Sequence, residues 1–295
     1  MNEIICQCST FGLGNKLLFI ASSMRVCELL NRPMIIQWDK SEHCDCLFND
    51  LFEPIEGVKS IQKLPENLKT INEEAIVPQD IPEGQCVLSH TGFVHLQGEQ
   101  KTFPNLSMYF NKIRPIKSIA NDIDKIVGKH DFKNTVGLHY RGTDYGECPW
   151  KIRYFETCKA TIQRFPNVKF FLAADNPEIT NEFIEEFGDK IIVYPKTSWT
   201  EKLVDKWYPN CPIYRSQQCM AEATVDMWLL ASCAVIVGGV GTFPACATKI
   251  KNAPLTSITM KNNILFLTYK QTEPYKVNSV NDVVNRIAKI IKPVV

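Results

Sequence analysis

Apolar positions along this chain change their period several times, and each change marks an element. Residues 3 to 8 read as a short strand. From about Lys16 to Leu30, the apolar residues Leu17, Ile20, Ala21, Met24, Cys27 and Leu30 recur at spacings of mostly three, the signature of one helix face. Asn31-Arg32-Pro33 ends that helix, because proline cannot continue it. Met34 to Trp38 is a second strand, so the chain opens as a strand, a Gly-rich turn, a helix and a strand, the start of a parallel α/β layer. Residues 39 to 113 are less regular, with prolines at 54, 65, 78, 82 and 104 and strand candidates at 58–62 and 85–89.

The second half reads more sharply. Strands are expected at Asn134 to Tyr140, Val168 to Ala173, Ile191 to Tyr194 and Ala234 to Val237. Helices are expected at Arg153 to Phe165, Glu178 to Phe187, Cys219 to Ser232 and about Val280 to Ile291. Several strands are unbroken apolar runs, as strands covered on both faces are. The pattern predicts an α/β fold with a domain boundary between residues 115 and 131.

Composition narrows the function. The chain has 295 residues, enough for two α/β domains of ordinary size. Its 33 basic and 32 acidic residues leave a net charge of +1, so no overall field draws it to nucleic acid or a membrane, and an anionic ligand must be held by local groups. No 18-residue uncharged apolar stretch predicts a membrane span. The first eight residues do not read as a signal peptide, which predicts a cytoplasmic setting where the 12 cysteines stay reduced. Cys6, Cys8, Cys44 and Cys46, with His43 beside the second pair, offer four thiols to zinc; the Cys-x-Cys spacing favours buried thiols and no metal.

Three loops follow predicted strands, where open α/β sheets bind ligands. In Val136-Gly-Leu-His-Tyr-Arg-Gly-Thr-Asp144, alternation puts His139 and Arg141 on one face. A guanidinium there suits a diphosphate; equally, Arg141 and Asp144 form a structural ion pair. In the Asp175-Asn176-Pro177 loop a carboxylate accepts from a base, or else Asp175 or Asn176 caps the helix that follows. In Val237-Gly-Gly-Val-Gly241-Thr242-Phe243, the glycines let backbone N–H groups approach phosphate, or merely allow a tight turn. Pro244 stands where a dinucleotide fingerprint needs its last glycine, and no Lys-Ser/Thr follows as in a P-loop.

Taken together, Gly12-Leu-Gly-Asn15, His139-x-Arg141-x-Thr143-Asp144, Ala174-Asp175-Asn176, Gly239-Val-Gly-Thr-Phe243 and the helix Glu222 to Ser232 resemble the α1,6-, α1,2- and protein O-fucosyltransferases, including the rhizobial nodulation enzymes. The resemblance implies two facing Rossmann-like domains of the GT-B type. Residues 1–130 would form the acceptor side and 131–295 the nucleotide-sugar side, with the last helix returning onto the first domain. It implies a GDP-sugar donor, a glycan acceptor and no cofactor or metal. Arg141 would offset charge on the leaving GDP, with Asp144 beside it and Glu147 as the base. His139, Asp175, Asn176, Gly241, Thr242 and Phe243 would hold the nucleotide, and Gly12, Gly14 and Asn15 would close the cleft. The chain departs from the family at Gly142, where relatives often carry a second Arg, at Tyr145, where some carry Lys, and in the offset of Glu147. The implied reaction is inverting transfer of L-fucose or a related deoxyhexose. The alternative is a protein of this fold that binds nucleotide or glycan without turnover.

Overall fold

The structure, a computed structural model, describes residues 2–8, 11–90, 92–97, 106–143, 149–204, 212–239, 241–251, 255–261, 264–269, 275–277 and 279–291. The first half runs β1 (Ile4–Cys8), α1 (Leu13–Leu29), β2 (Met34–Trp38), β3 (Lys59–Ile61), β4 (Thr70–Ile71), β5 (Ala75–Ile76), β6 (Cys86–Ser89), β7 (His95–Leu96), α2 (Ser107–Phe110) and α3 (Lys117–Val127). Five of these strands form a parallel sheet in the order β3-β2-β1-β6-β4, while β5 and β7 pair separately. Alternation along β1 explains its two-sided burial. Ile4, Cys6 and Cys8 enter the main core, whereas Ile5 joins Ile35 and Val87 on the opposite face.

The second half runs β8 (Thr135–Tyr140), α4 (Pro149–Arg164), β9 (Lys169–Ala174), α5 (Pro177–Phe187), β10 (Ile191–Ile192), β11 (Glu201–Lys202), β12 (Ile213–Tyr214), α6 (Gln217–Ser232), β13 (Val235–Gly239), α7 (Thr242–Lys251), β14 (Leu255–Lys261), β15 (Ile264–Tyr269), β16 (Tyr275–Val277) and α8 (Val280–Ile291). Seven strands form one sheet in the order β10-β9-β8-β13-β14-β15-β16, and β11 pairs with β12 as a small hairpin. The five strands from β10 to β14 are parallel, and β15 and β16 extend the sheet antiparallel.

The alternating residues of this sheet serve two cores. Val136, Leu138, Phe170, Leu172, Val235 and Val237 pack with residues of α4, α5 and α8. Phe171, Ala173 and Ile236 face the other way, into a core shared with α1, α3, α6 and α7. Helix α6 is therefore buried on all sides, as a helix between two layers must be. Its Trp228 meets Phe52 of the first half, ring centroids 5.9 Å apart. The halves are thus joined by continuous apolar packing through α6 and α7.

Three features differ from the periodicity-based expectation. Residues 117–127, read as a boundary, form α3, whose Ile119, Ile123 and Ile126 are buried at helical spacing. Helix α7 begins at Thr242, and Pro244 sits in its first turn, where a missing N–H costs nothing. The last helix buries Val283, Val284, Ile287, Ala288 and Ile291 in the core of the second sheet, against α4, so its packing is within the second half.

Candidate active site

Strand order locates the site. In the second sheet, β8, β9 and β10 run outward on one side and β13 and β14 on the other, so the order reverses between β8 and β13. In the first sheet it reverses between β1 and β6. Such reversals leave a crevice beyond the carboxyl ends of the two strands, because the following helices depart to opposite faces. Beyond β1, Gly12 is the N-cap of α1, and Gly14 and Asn15 lie in its first turn; the segments after β8 and β13 hold Arg141 and Gly241-Thr242-Phe243.

Two of these segments meet. A Cβ on Gly14 would lie 2.7 Å from the Phe243 N and 2.8 Å from the Thr242 Oγ1. The Cys246 thiol on α7 donates to the Gly14 carbonyl at 3.2 Å. The start of α1 is therefore seated on the start of α7. Helix α7 presents its first-turn N–H groups and the positive end of its dipole where the carboxyl ends of β1 and β13 converge, an arrangement suited to phosphate oxygens. Gly241 is exposed, and Thr242, Phe243 and Asn15 are half-buried.

His139 pairs in register with Gly238, and its ring stacks on Phe243 at 5.0 Å between centroids. The buried Tyr154 hydroxyl donates to the carbonyls of His139, at 2.6 Å, and Val237, at 3.2 Å. It ties the ends of β8 and β13 together at the crevice. Arg141 follows directly, with an exposed side chain. Asp144, Tyr145 and Glu147 lie outside the described residues.

The Asp175 loop shapes the Arg141 loop. One Asp175 carboxylate oxygen accepts from the backbone N–H groups of Gly142 and of Thr143, the latter at 3.1 Å. The Thr143 hydroxyl donates back to the Asp175 carbonyl at 3.0 Å. Asn176 caps α5, its Oδ1 accepting from the Ile179 N–H at 3.2 Å. A Cβ on Gly142 would lie 2.8 Å from the Asn176 Nδ2, which accounts for glycine at that place.

Comparison with known proteins gives a fold. No family model matches the sequence, and no curated protein matches it. Solved structures do. NodZ alpha-1,6-fucosyltransferase co-crystallized with GDP superposes with a TM-score of 0.62 and 18% identity, over 92% of this chain and 99% of that one. A mutant of Arabidopsis thaliana FUT1 in complex with GDP gives 0.59 and 13%, over 95% and 74%. POFUT1 in complex with GDP gives 0.51 and 12%, over 85% and 95%. The fold is that of the fucosyltransferases. It is the GT-B arrangement of two facing Rossmann-like units, with the Gly12–Asn15 start of α1 in one unit packed on the Thr242–Phe243 start of α7 in the other.

On this fucosyltransferase fold, several polar groups border the crevice that sequence reasoning did not single out. An Arg215 Nη1 lies 3.6 Å from the place of a Gly12 Cβ, bringing a second guanidinium to the start of α1. Its Nε donates to the Thr200 Oγ1 at 3.0 Å, and its backbone exchanges hydrogen bonds with Glu42 and Asp45 of the first half. Behind Asp175, the Lys196 Nζ donates to the Ala174 carbonyl and, at 2.5 Å, to Asp226, whose other oxygen is buried with no partner among the described residues. Burial pushes the Asp226 carboxyl up to about 6 despite the pull of Lys196. Glu222, one turn away on α6, accepts from the N–H groups of Thr197 and Ser198, both at 2.9 Å. The only local signal was two carboxylates four apart in an apolar helix; the partners named here are 24 to 30 residues distant.

The cysteine pairs have a structural place. Cys6, Cys8, Cys44 and Cys46 are buried, and the Cys44 and Cys46 sulfurs are 3.5 Å apart. Among the described residues, no three His, Cys, Asp or Glu side chains are grouped to hold a metal ion.

Proposed function

We propose that the protein transfers L-fucose or a related deoxyhexose from a GDP-sugar to a glycan hydroxyl. One observation carries this reading: the start of α7 packs on the Gly12–Gly14 start of α1 at the crevice, with Arg215 beside Gly12 and Arg141 at the end of the neighbouring strand β8. That is a cradle of N–H donors and guanidinium groups at a strand-order reversal, suited to a nucleoside diphosphate. The NodZ, FUT1 and POFUT1 structures that share the fold were determined with GDP.

In the proposed reaction the acceptor hydroxyl, held toward the first half, attacks C1 of the sugar opposite the diphosphate. The new O–C1 bond forms as the bond from C1 to the β-phosphate oxygen breaks. The bonding pair leaves with GDP, and the configuration at C1 inverts. Glu147 takes the hydroxyl proton, and Asp144 orients the Arg141 loop. Arg141 offsets the charge that grows on the leaving phosphate. Asp175 and Asn176 keep that loop in place, and His139, Gly241, Thr242 and Phe243 line the nucleotide. Because guanidinium groups and a helix N-terminus supply the positive charge, the reaction is proposed to run without a metal.

Thermal-shift titration with GDP, UDP, CDP and NAD, followed by assay of nucleotide release from GDP-, UDP- and CDP-sugars in EDTA, tests the proposal. Stabilisation by GDP with release from a GDP-deoxyhexose is expected. Preference for UDP would overturn the guanosine assignment, and restoration by manganese of activity lost to chelator would overturn metal independence. GDP binding with no release from any donor would instead establish the binding protein.

A further inference from the structure

The most deeply buried charge in the first half is not part of the site described above. Lys16 is 2% exposed, on the first turns of α1. Its ammonium donates to the Cys8 carbonyl at 2.9 Å and the Asp39 carbonyl at 2.7 Å, and it lies 4.7 Å from the centre of the Trp38 ring. Burial lowers its pKa, while the nearby Cys44 and Cys8 pull it back up. A buried ammonium is costly unless it is well partnered, and a methionine would fill the same space without that cost.

Its position suggests what it does. Cys8 ends β1, and Lys16 lies in the first turns of α1, just after Gly12–Asn15. The side chain thus reaches back from the helix start and fastens the end of the strand before it. The second carbonyl, Asp39, lies just past β2, the neighbouring strand in the sheet. The start of α1 is thereby fastened to the ends of two neighbouring strands, while Gly14, in its first turn, meets Thr242 and Phe243 with no space to spare. A shift of a few tenths of an ångström at the base would move Gly14 into, or away from, the start of α7.

We infer that Lys16 is a positioning residue, a clamp that sets the Gly12–Asn15 start of α1 against the α7 N-terminus. Its consequence for donor binding rests on the nucleotide reading given above; the clamp itself does not.

Hydrogen exchange of the full chain separates the two. In Lys16→Met, amides of residues 11–15 and of 242, 243, 245 and 246 should exchange at least about ten-fold faster, while those of β8 and β9 stay as in wild type. GDP, the probe used, should bind about ten-fold more weakly. Lys16→Arg, which keeps the charge and the donors, should recover most of both. Unchanged exchange in the two segments of a folded Lys16→Met protein would overturn the clamp. So would acceleration spread evenly through β8 and β9, the mark of general destabilisation. If Lys16→Met does not fold, Lys16→Gln, which keeps a neutral donor, is read in the same way, and failure of both to fold would overturn the inference. If the wild type binds no GDP yet the two segments loosen in the variant, the clamp stands and the nucleotide reading falls.

Discussion

Gly14 and Thr242, 228 positions apart in the chain, meet with no room for a methyl group between them: a Cβ on Gly14 would stand 2.8 Å from the Thr242 Oγ1 and from the Thr242 carbonyl carbon. Backbone cannot swing aside as a flexible side chain can. Gly14→Ala must therefore part the α1 and α7 helix starts. Overpacking of this kind typically costs about 1–3 kcal/mol, so a lower melting temperature and weaker GDP binding are expected together. Calorimetric titration that finds GDP bound as tightly as by wild type would show that this contact does not set the donor site.

Arg141 makes the second test. A lysine there keeps the charge and loses the planar fork that grips two phosphate oxygens. Removing one donor to charge that develops in a transition state costs about 2.7–4 kcal/mol, or about a hundred- to a thousand-fold in rate. Arg141→Lys should melt near wild type, since the side chain is exposed, and lose turnover by about that factor. Turnover within a few-fold of wild type would assign Arg141 a structural pairing instead of the leaving group.

Asp226 predicts a pH dependence of stability. Burial raises its carboxyl from the ordinary 3.8 to about 6, against the attraction of Lys196. A folded-state value raised above the unfolded one means that the folded protein holds this proton longer. The resulting stabilisation is complete below 3.8 and is lost as pH rises to about 6. At 1.36 kcal/mol for each unit of pKa, the difference across that window is about 3 kcal/mol. Asp226→Asn, which cannot titrate, should lack this slope. Parallel stability curves for wild type and variant between pH 4 and 6 would refute the assignment.

The sequence alone determined the elements whose pattern is local. Strand β2 and helix α8 appear at the expected residues, because an apolar period needs only near neighbours to show itself. Strands β8, β9 and β13 and the loops that leave them were legible for the same reason: an apolar run ends, and a glycine, arginine or aspartate follows. That Asp175 or Asn176 caps α5 was one of two readings open in the sequence, and the structure gives that task to Asn176.

Tertiary structure decided what depends on distant partners. No period marks α7, which has proline in its first turn and owes its place to α1 packed on it and to the core that its Cys246 and Ala247 enter. Asp175 gains its role from two backbone amides more than thirty residues earlier, and Asp226 from Lys196 thirty residues earlier. Lys16 entered the sequence reading only as the expected start of a helix; its acceptors are carbonyls, which every residue has and no side-chain pattern reveals. Backbone acceptors and contacts between chain segments hundreds of residues apart leave no trace in local composition. Only the folded chain brings the Gly12–Asn15 start of α1 to Thr242 and so builds a cleft from motifs that are weak when read one at a time.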